Sequence, residues 1–333
     1  MLLKASKSQK TDLLITLFAV LAMSIYLYGL RVLFMTAFTV LLAIVFEYLC
    51  NRLLGKEKGS RLSLDPVLTA IVFTLCLSAV TPYWVSIYGM LAAIVVAKFP
   101  FGGTGKNIFN PAATALAFVS ISFPTLVFEY PAPYTHVPWF GPVNVAMQSS
   151  PGSVLDAGGS PAINTMNTLL INYSGPIGAT AIFVIAACAL YLIVRKTIAW
   201  RIVFSAVISL SVVAFLFPRT SNDGIHSVAY ELISGIFAFA VVFMASDPVT
   251  SPKNKWGQVL YGVLIGIGTM VTRYIAASET SVVFALMISN ALVPALERAG
   301  GRISARFLSG RLLSAPLSGG TEKESESEVT VNE

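Results

Sequence analysis

Residues 12–53 read DLLITLFAVLAMSIYLYGLRVLFMTAFTVLLAIVFEYLCNRL, and between positions 13 and 46 the one charged side chain is Arg31. A helix needs roughly 20 apolar residues to cross a hydrocarbon core of about 30 Å, so this stretch predicts two membrane spans. Working outward, the same pattern recurs at 64–81, 84–99, 111–129, 176–194, 199–217, 228–246, 257–273 and 280–297, which with 12–29 and 31–53 makes ten candidate spans. The composition agrees. Of 333 residues, 56% are hydrophobic and 11% charged, with a mean hydropathy of +0.77, whereas a soluble domain carries about 25% charge. The expected fold class is an all-α integral membrane protein of ten transmembrane helices, and a soluble enzyme is excluded.

The formal charge of +6 is ambiguous until the basic residues are placed. With the N-terminus inside, nineteen of the twenty-two Lys and Arg fall on the cytoplasmic side, and only Arg31, Arg219 and Arg273 fall outside. Retention of basic loops in the cytoplasm produces this bias. The charge therefore reports orientation in the lipid bilayer and implies no nucleic acid partner. The expected location is the cell (inner) membrane, multi-pass, with both termini cytoplasmic. Trp84 and Trp139 at the outer boundary, and Trp200 and Trp256 at the inner one, suit aromatic belts. The first run follows Lys4, Lys7 and Lys10 as a secretory signal would. It lacks a convincing small-residue cleavage site and nine more spans follow, so it reads as a retained helix. Cys50, Cys76 and Cys188 show no Cys-x-x-Cys spacing, and His136 and His226 lie far apart, so neither a disulfide framework nor a metal site is expected.

Two signatures recur. Asp65-Pro66-Val67 returns as Asp247-Pro248-Val249, 182 residues later, and Asn110-Pro111 is loosely echoed by Asn290 and Pro294. This suggests two five-helix halves, 12–129 and 176–297, flanked by a cytoplasmic N-terminus at 1–11 and a tail at 298–333. Five is odd, so the second half would enter the membrane inverted, with a pseudo-two-fold site near the midplane. Between the fourth and fifth spans stands FGGTGKNIFNP at 101–111. Its clustered glycines permit positive φ and close backbone approach, and free amides ahead of a helix opening with Pro111 suggest an anion or carbonyl cradle. It is not a P-loop, because Pro100 replaces the first Gly and no Ser or Thr follows Lys106. The external connection 130–175 has no Lys or Arg. Its aromatics and prolines argue for a folded lid over the outer end of the bundle. No ionisable residue sits at a span centre, which favours a neutral solute or a bound cofactor over a carboxylate relay.

FGGTGKNIFNPAATALAF at 101–118 and MASDPVTSPKNKWGQVLYGVLIGIGTMVTR at 244–273 resemble the D subunit of the Rnf electron-transport complex. They also resemble the related B subunit of the sodium-translocating NADH:quinone reductase. The likeness extends through Gly175-Pro176-Ile177-Gly178 and covers about 64–297. It implies a ten-helix flavoprotein subunit of a membrane redox pump that works with the other subunits of an Rnf/Nqr-type complex and moves Na+ or H+. The family usually carries FMN on a Thr within an Asp-x-x-Ser/Thr-Gly-Ala-Thr type of motif in the external loop. That motif is absent here. Ser153, in Ser150-Pro151-Gly152-Ser153, is the best remaining hydroxyl for covalent FMN, and bound FMN or riboflavin need not be covalent. Gly102, Gly103, Thr104, Asn107 and Asn110 in one half, with Asp247, Thr250 and Lys253 in the other, are the candidate cofactor-binding residues at cytoplasmic helix ends. No catalytic side chain and no metal ligand is expected. A channel or carrier for a small neutral solute, or a flavin-free assembly subunit, would fit the same helices. In the tail, Arg298, Arg302, Arg306 and Arg311 suggest a short interfacial helix, followed by an acidic, disordered end.

Overall fold

A computed structural model describes residues 7–53, 64–103, 105–141, 143–161, 173–219 and 224–313. Among these the chain is helical, and the one strand-like feature is an isolated antiparallel bridge between Pro131 and Met147. The helices are α1 (Lys7–Tyr28), α2 (Arg31–Leu53), α3 (Asp65–Leu75), α4 (Tyr83–Met90), α5 (Pro111–Ser122), α6 (Pro124–Val127) and α7 (Pro151–Asp156), then α8 (Ile182–Val194), α9 (Trp200–Leu216), α10 (Gly224–Ile233), α11 (Phe237–Ala240), α12 (Lys255–Ala276) and α13 (Ser281–Leu313). α4 and α11 each run on into a wider π-helical segment, Leu91–Val96 and Val241–Ala245. Ser8–Tyr28, Arg31–Leu53, Lys255–Ala276 and Ser281–Ala305 are long and apolar enough to cross a membrane. α10 and the run Phe237–Ala245 form a fifth such unit, bent by 62°. Five shorter apolar helices complete the bundle: Asp65–Leu75, Tyr83–Val96, Pro111–Ser122, Ile182–Val194 and Trp200–Leu216. The chain is an all-helical membrane protein.

Three expected spans are cut short, each for a visible reason. The run 64–81 stops being helical at Leu75 because 76–82 is held by side chains instead. Ser78 Oγ donates to the Glu129 carbonyl, Thr81 Oγ1 to the Leu126 carbonyl at 2.9 Å, and Arg31 Nε to the Ala79 carbonyl at 2.9 Å. The run 176–194 becomes helical only at Ile182, because Ile177 N–H and Gly178 N–H donate to the Leu77 and Leu75 carbonyls at the end of α3. Irregular backbone at membrane depth is tolerated where protein buries it and satisfies its polar groups. The run 111–129 breaks at Phe123, where Pro124 removes a donor and disfavours helix in the residue before it.

The tenth helix differs in the other direction. It runs through Pro294 and continues past the expected end, through Gly300 and Gly301 to Leu313, so the first part of the basic tail extends the span. Packing overrides the glycines here: a side chain at Gly300 would collide with Asn254 and Gly257, and Asn254 Nδ2 donates to the Glu297 carbonyl at 2.7 Å. Small residues also set the α9–α12 seam. Gly262 and Gly266 of α12 lie against the Ile202 and Ala206 carbonyls of α9, with Ser205 and Ser209 alongside, the close approach by which helices pack without a hydrophobic drive.

Residues 137–140 of the long connection pack against the end of α1 and the start of α2. Val137 N–H donates to the Tyr28 carbonyl and Arg31 NH1 to the Pro138 carbonyl at 2.8 Å, while Trp139 and Phe140 pack on Phe34.

Candidate functional site

The glycine-rich loop and the residues that follow the two π-helical segments, Lys98 and Asp247, line one cleft. The loop takes positive φ at Gly102, Gly103 and Gly105 (102°, 91° and 83°), a backbone region that costs only glycine nothing. Two of the expected free amides are already used, because Gly102 N–H donates to the Phe99 carbonyl and Gly103 N–H to the Lys98 carbonyl. Thr104 lies outside the described residues. Asn110 caps α5 by accepting from Ala112 and Ala113 N–H, and its Nδ2 donates to the Met244 carbonyl at 3.1 Å. Its polar atoms are therefore spent on starting one helix and tying it to the π-helical turn of the other half.

Beside this tie lies a cleft with two adjoining chambers. One, about 80 Å³, is lined by Val72, Val242 and Phe243 together with Asn110 and Asp247. The other, about 90 Å³, is lined by Lys10, Asp65, Lys98, Gly105, Asn107 and Asp247 among apolar residues such as Leu13 and Leu68. Lys10 pairs with Asp65 at 2.5 Å, and Lys98 reaches Glu47 of α2 at 2.7 Å. Burial holds the Asp247 carboxyl above the usual carboxylate range, and the nearby Asp65 charge adds to this. Asp247 Oδ1 accepts from Val249 N–H at 3.0 Å. Lys253 turns back to the Pro248 carbonyl, and burial lowers its ammonium pKa. Thr250 is buried beside Asp247.

Asn107, Asn110 and Asp247 are thus brought to one cleft, while Gly102, Gly103 and Lys253 shape its surroundings. Ser153 is elsewhere. It sits in α7, its Oγ donating to the Ser150 carbonyl at 2.9 Å, beside the link that joins α12 to α13. α12 begins at Asn254 near the cleft and ends at that link, so Ser153 and the cleft occupy opposite ends of the bundle. Two Asp-Pro-Val strings also acquire a different meaning. Asp65 starts a helix and Asp247 follows the end of one, yet both line the same chamber. Equivalent positions of an inverted repeat lie on opposite faces, so this pair marks a shared site and not a repeat correspondence.

Sequence reading missed Lys10 and Lys98 as cleft residues, Glu47 as the partner of Lys98, and Asp12, which is buried and bonded to Arg195 and Thr197 at 3.2 and 3.0 Å. Their partners are 51 to 185 residues away, and no periodicity relates such positions. A lone charge inside an apolar run was the available signal.

Residues 4–302 match the family described as NQR2, RnfD, RnfE. The chain belongs to that family. Among its relatives is the D subunit of the ion-translocating oxidoreductase complex of Haemophilus influenzae (strain PittEE), 26% identical over 87% of this chain and 92% of the relative. The D subunit of the Na(+)-translocating ferredoxin:NAD(+) oxidoreductase complex of Acetobacterium woodii is 27% identical, covering 86% of each chain. The B subunit of the Na(+)-translocating NADH-quinone reductase of Chromohalobacter salexigens is 29% identical over 74% of this chain and 60% of the relative. The cleft and its glycine loop lie within the matched residues.

Proposed function

We propose that this chain is the membrane flavoprotein subunit of an Rnf/Nqr-type complex of the cell membrane, passing electrons through bound flavin while Na+ or H+ crosses. The observation that carries the reading is family membership across nearly the whole chain, with relatives from both kinds of complex named as ion-translocating oxidoreductase subunits. The other subunits are the partners, both termini are cytoplasmic, and the chain crosses the bilayer ten times as two inverted halves. The third apolar segment is interrupted in both halves: α3 is cut short and α10–α11 is broken. Short or interrupted spans at matching positions of two halves point to a ligand site between them.

The cleft suits FMN or riboflavin by its chemistry. Apolar walls match a planar ring system, and Asn107, Asp247 and Lys10 match its polar edge. When bound, flavin supplies one- and two-electron transfer. The residues of this chain bind and orient it: Asn107 and Asp247 offer hydrogen bonds, Lys98 and Lys10 supply positive charge, and Val242 and Phe243 exclude water. Ser153 offers a separate external hydroxyl for covalent FMN.

Purification of the complex, followed by its visible spectrum and in-gel flavin fluorescence, tests this. Fluorescence in this chain's band that disappears in Ser153→Ala establishes the covalent site, and absorbance near 450 nm released on denaturation establishes a non-covalent one (a wavelength chosen as about that of oxidised flavin). A folded complex in which this chain carries no flavin favours the assembly role instead.

A further inference from the structure

Two carboxyl groups are buried at the external end of the bundle, and only one has a countercharge. Glu231 of α10 is fully buried between Arg219 and Arg273. Glu279, in the link 277–280, is 6% exposed. Tyr130 Oη lies 2.8 Å from its Oε2, and Ser150 Oγ contacts Oε1. Among the described residues, no ion pair within 4.0 Å includes it. The groups around it come from four elements: Tyr130 of the external connection, Ser150, Gly152 and Asp156 of the α7 region, Gly235 of the α10–α11 break, and Arg273 of α12. The Arg273 charge is committed to Glu231. Gly235, at φ 61°, lies so close to the Glu279 backbone carbonyl that any side chain would collide with it.

A buried carboxylate without a countercharge must bind a cation or a proton. Both oxygens of Glu279 are already in contact with hydroxyl groups, one from Tyr130 and one from Ser150. A proton requires only the carboxyl oxygen already in contact with Tyr130. We propose that Glu279 is a proton-binding site of the external face, its Oε2–H donating to Tyr130 Oη while Ser150 Oγ–H donates to Oε1. A neutral carboxyl donates through one oxygen and accepts through the other, so both contacts are satisfied without a counterion. Release is a simple ionisation: the Oε2–H bond breaks, its electron pair stays on the carboxylate, the proton passes to external water, and no electron is transferred. Burial holds this carboxyl above its ordinary range. The Ser150 and Tyr130 bonds oppose that shift, Asp156 reinforces it and Arg273 opposes it.

The proposal extends the ion-translocating reading to a named residue. Infrared difference spectra of the purified complex, titrated from acid to alkaline pH in water and in D2O, test it. The expected result is a protonated-carboxyl C=O band at neutral pH that is absent in Glu279→Gln and displaced in Tyr130→Phe. A band unchanged in Glu279→Gln would overturn the proposal, as would one abolished by sodium at constant pH, which would assign a cation to the site. Should Glu279→Gln not assemble, Tyr130→Phe decides alone: a displaced band supports the proposal and an unmoved one defeats it. The band depends on neither flavin nor turnover, so this proposal and the flavin reading stand or fall separately.

Discussion

Glu231 and Glu279 are the same residue type, buried at the same end of the bundle, and they are stabilised in opposite ways. Glu231 accepts from two guanidiniums, Arg219 Nε at 2.6 Å and Arg273 NH1, while Arg273 also reaches the Glu231 and Ser234 carbonyls at 2.8 Å. Glu279 has two hydroxyls. The first arrangement holds the carboxyl between two guanidiniums and fastens α10 to α12. The second fixes a shape while leaving the proton free to come and go. Burial alone therefore says little about what a carboxyl does, because the charge of its neighbours decides whether it is a fastener or a titrating group.

The largest effect is expected from Glu231→Gln, which strands the buried Arg273 guanidinium and leaves Arg219 only Asp156. Breaking a buried pair from one side costs about 3–5 kcal/mol, so the thermal midpoint of the solubilised complex should fall steeply or assembly should fail. Arg219→Met should cost less, about 1–3 kcal/mol by the penalty for a weakened buried charge-assisted bond, because Glu231 keeps Arg273 while Asp156 loses its partner; a double-mutant cycle with Asp156→Asn measures that share. Tyr130→Phe should cost about 1–2 kcal/mol, the penalty for one buried donor, the Glu279 Oε2–H, left unmet, read as the same midpoint. Glu279→Gln should be the mildest, below about 1 kcal/mol, since an amide retains both contacts.

The pH dependence separates the pair further. The Glu279 carboxyl is raised in the folded state above its ordinary 4.5, so the native form holds the proton more tightly than the unfolded one. Its contribution to stability is then complete below 4.5 and is lost as pH rises through the folded value. Denaturation midpoints measured across that range should show this alkaline-side loss in the parent chain and not in Glu279→Gln. A parallel loss in both would place the titrating group elsewhere.

The long helices were readable from the sequence because a bilayer imposes a length and forbids charge, and α1, α2 and α12 depart little from that pattern. The interruptions were not. Apolar content is the same whether 76–82 is helical or held by Arg31 and Ser78, and hydropathy cannot distinguish the two. The three arginines expected outside show the same limit. As counts they were exceptions to the charge bias; in the fold Arg31 answers carbonyls of a broken span, and Arg219 and Arg273 pair with Glu231. At the cleft, Asn110 and Asp247 could be singled out because they flank glycine- and proline-marked turns. Lys98 and Glu47 could not, since their relation exists only across two helices. The cap at Asn110 was legible as Asn-Pro at a helix start, whereas its second bond, to Met244 in the other half, was not.

The two π-helical turns bear on how the cleft is indexed. A π-helical turn accommodates a residue more than the regular winding around it, as in the bonds from Ala97 N–H to the Ala92 carbonyl and Phe99 N–H to the Ile94 carbonyl. Each is in effect an inserted letter in an otherwise regular spelling, placed just before Lys98 in one half and Ser246 in the other. Removing one residue from either would restore ordinary winding and turn everything beyond it by about 100°. Lys98 would swing away from Glu47, and Asp247 from Asn110, with the membrane-facing composition hardly altered. The cleft is thus keyed to the count of residues as much as to their identity.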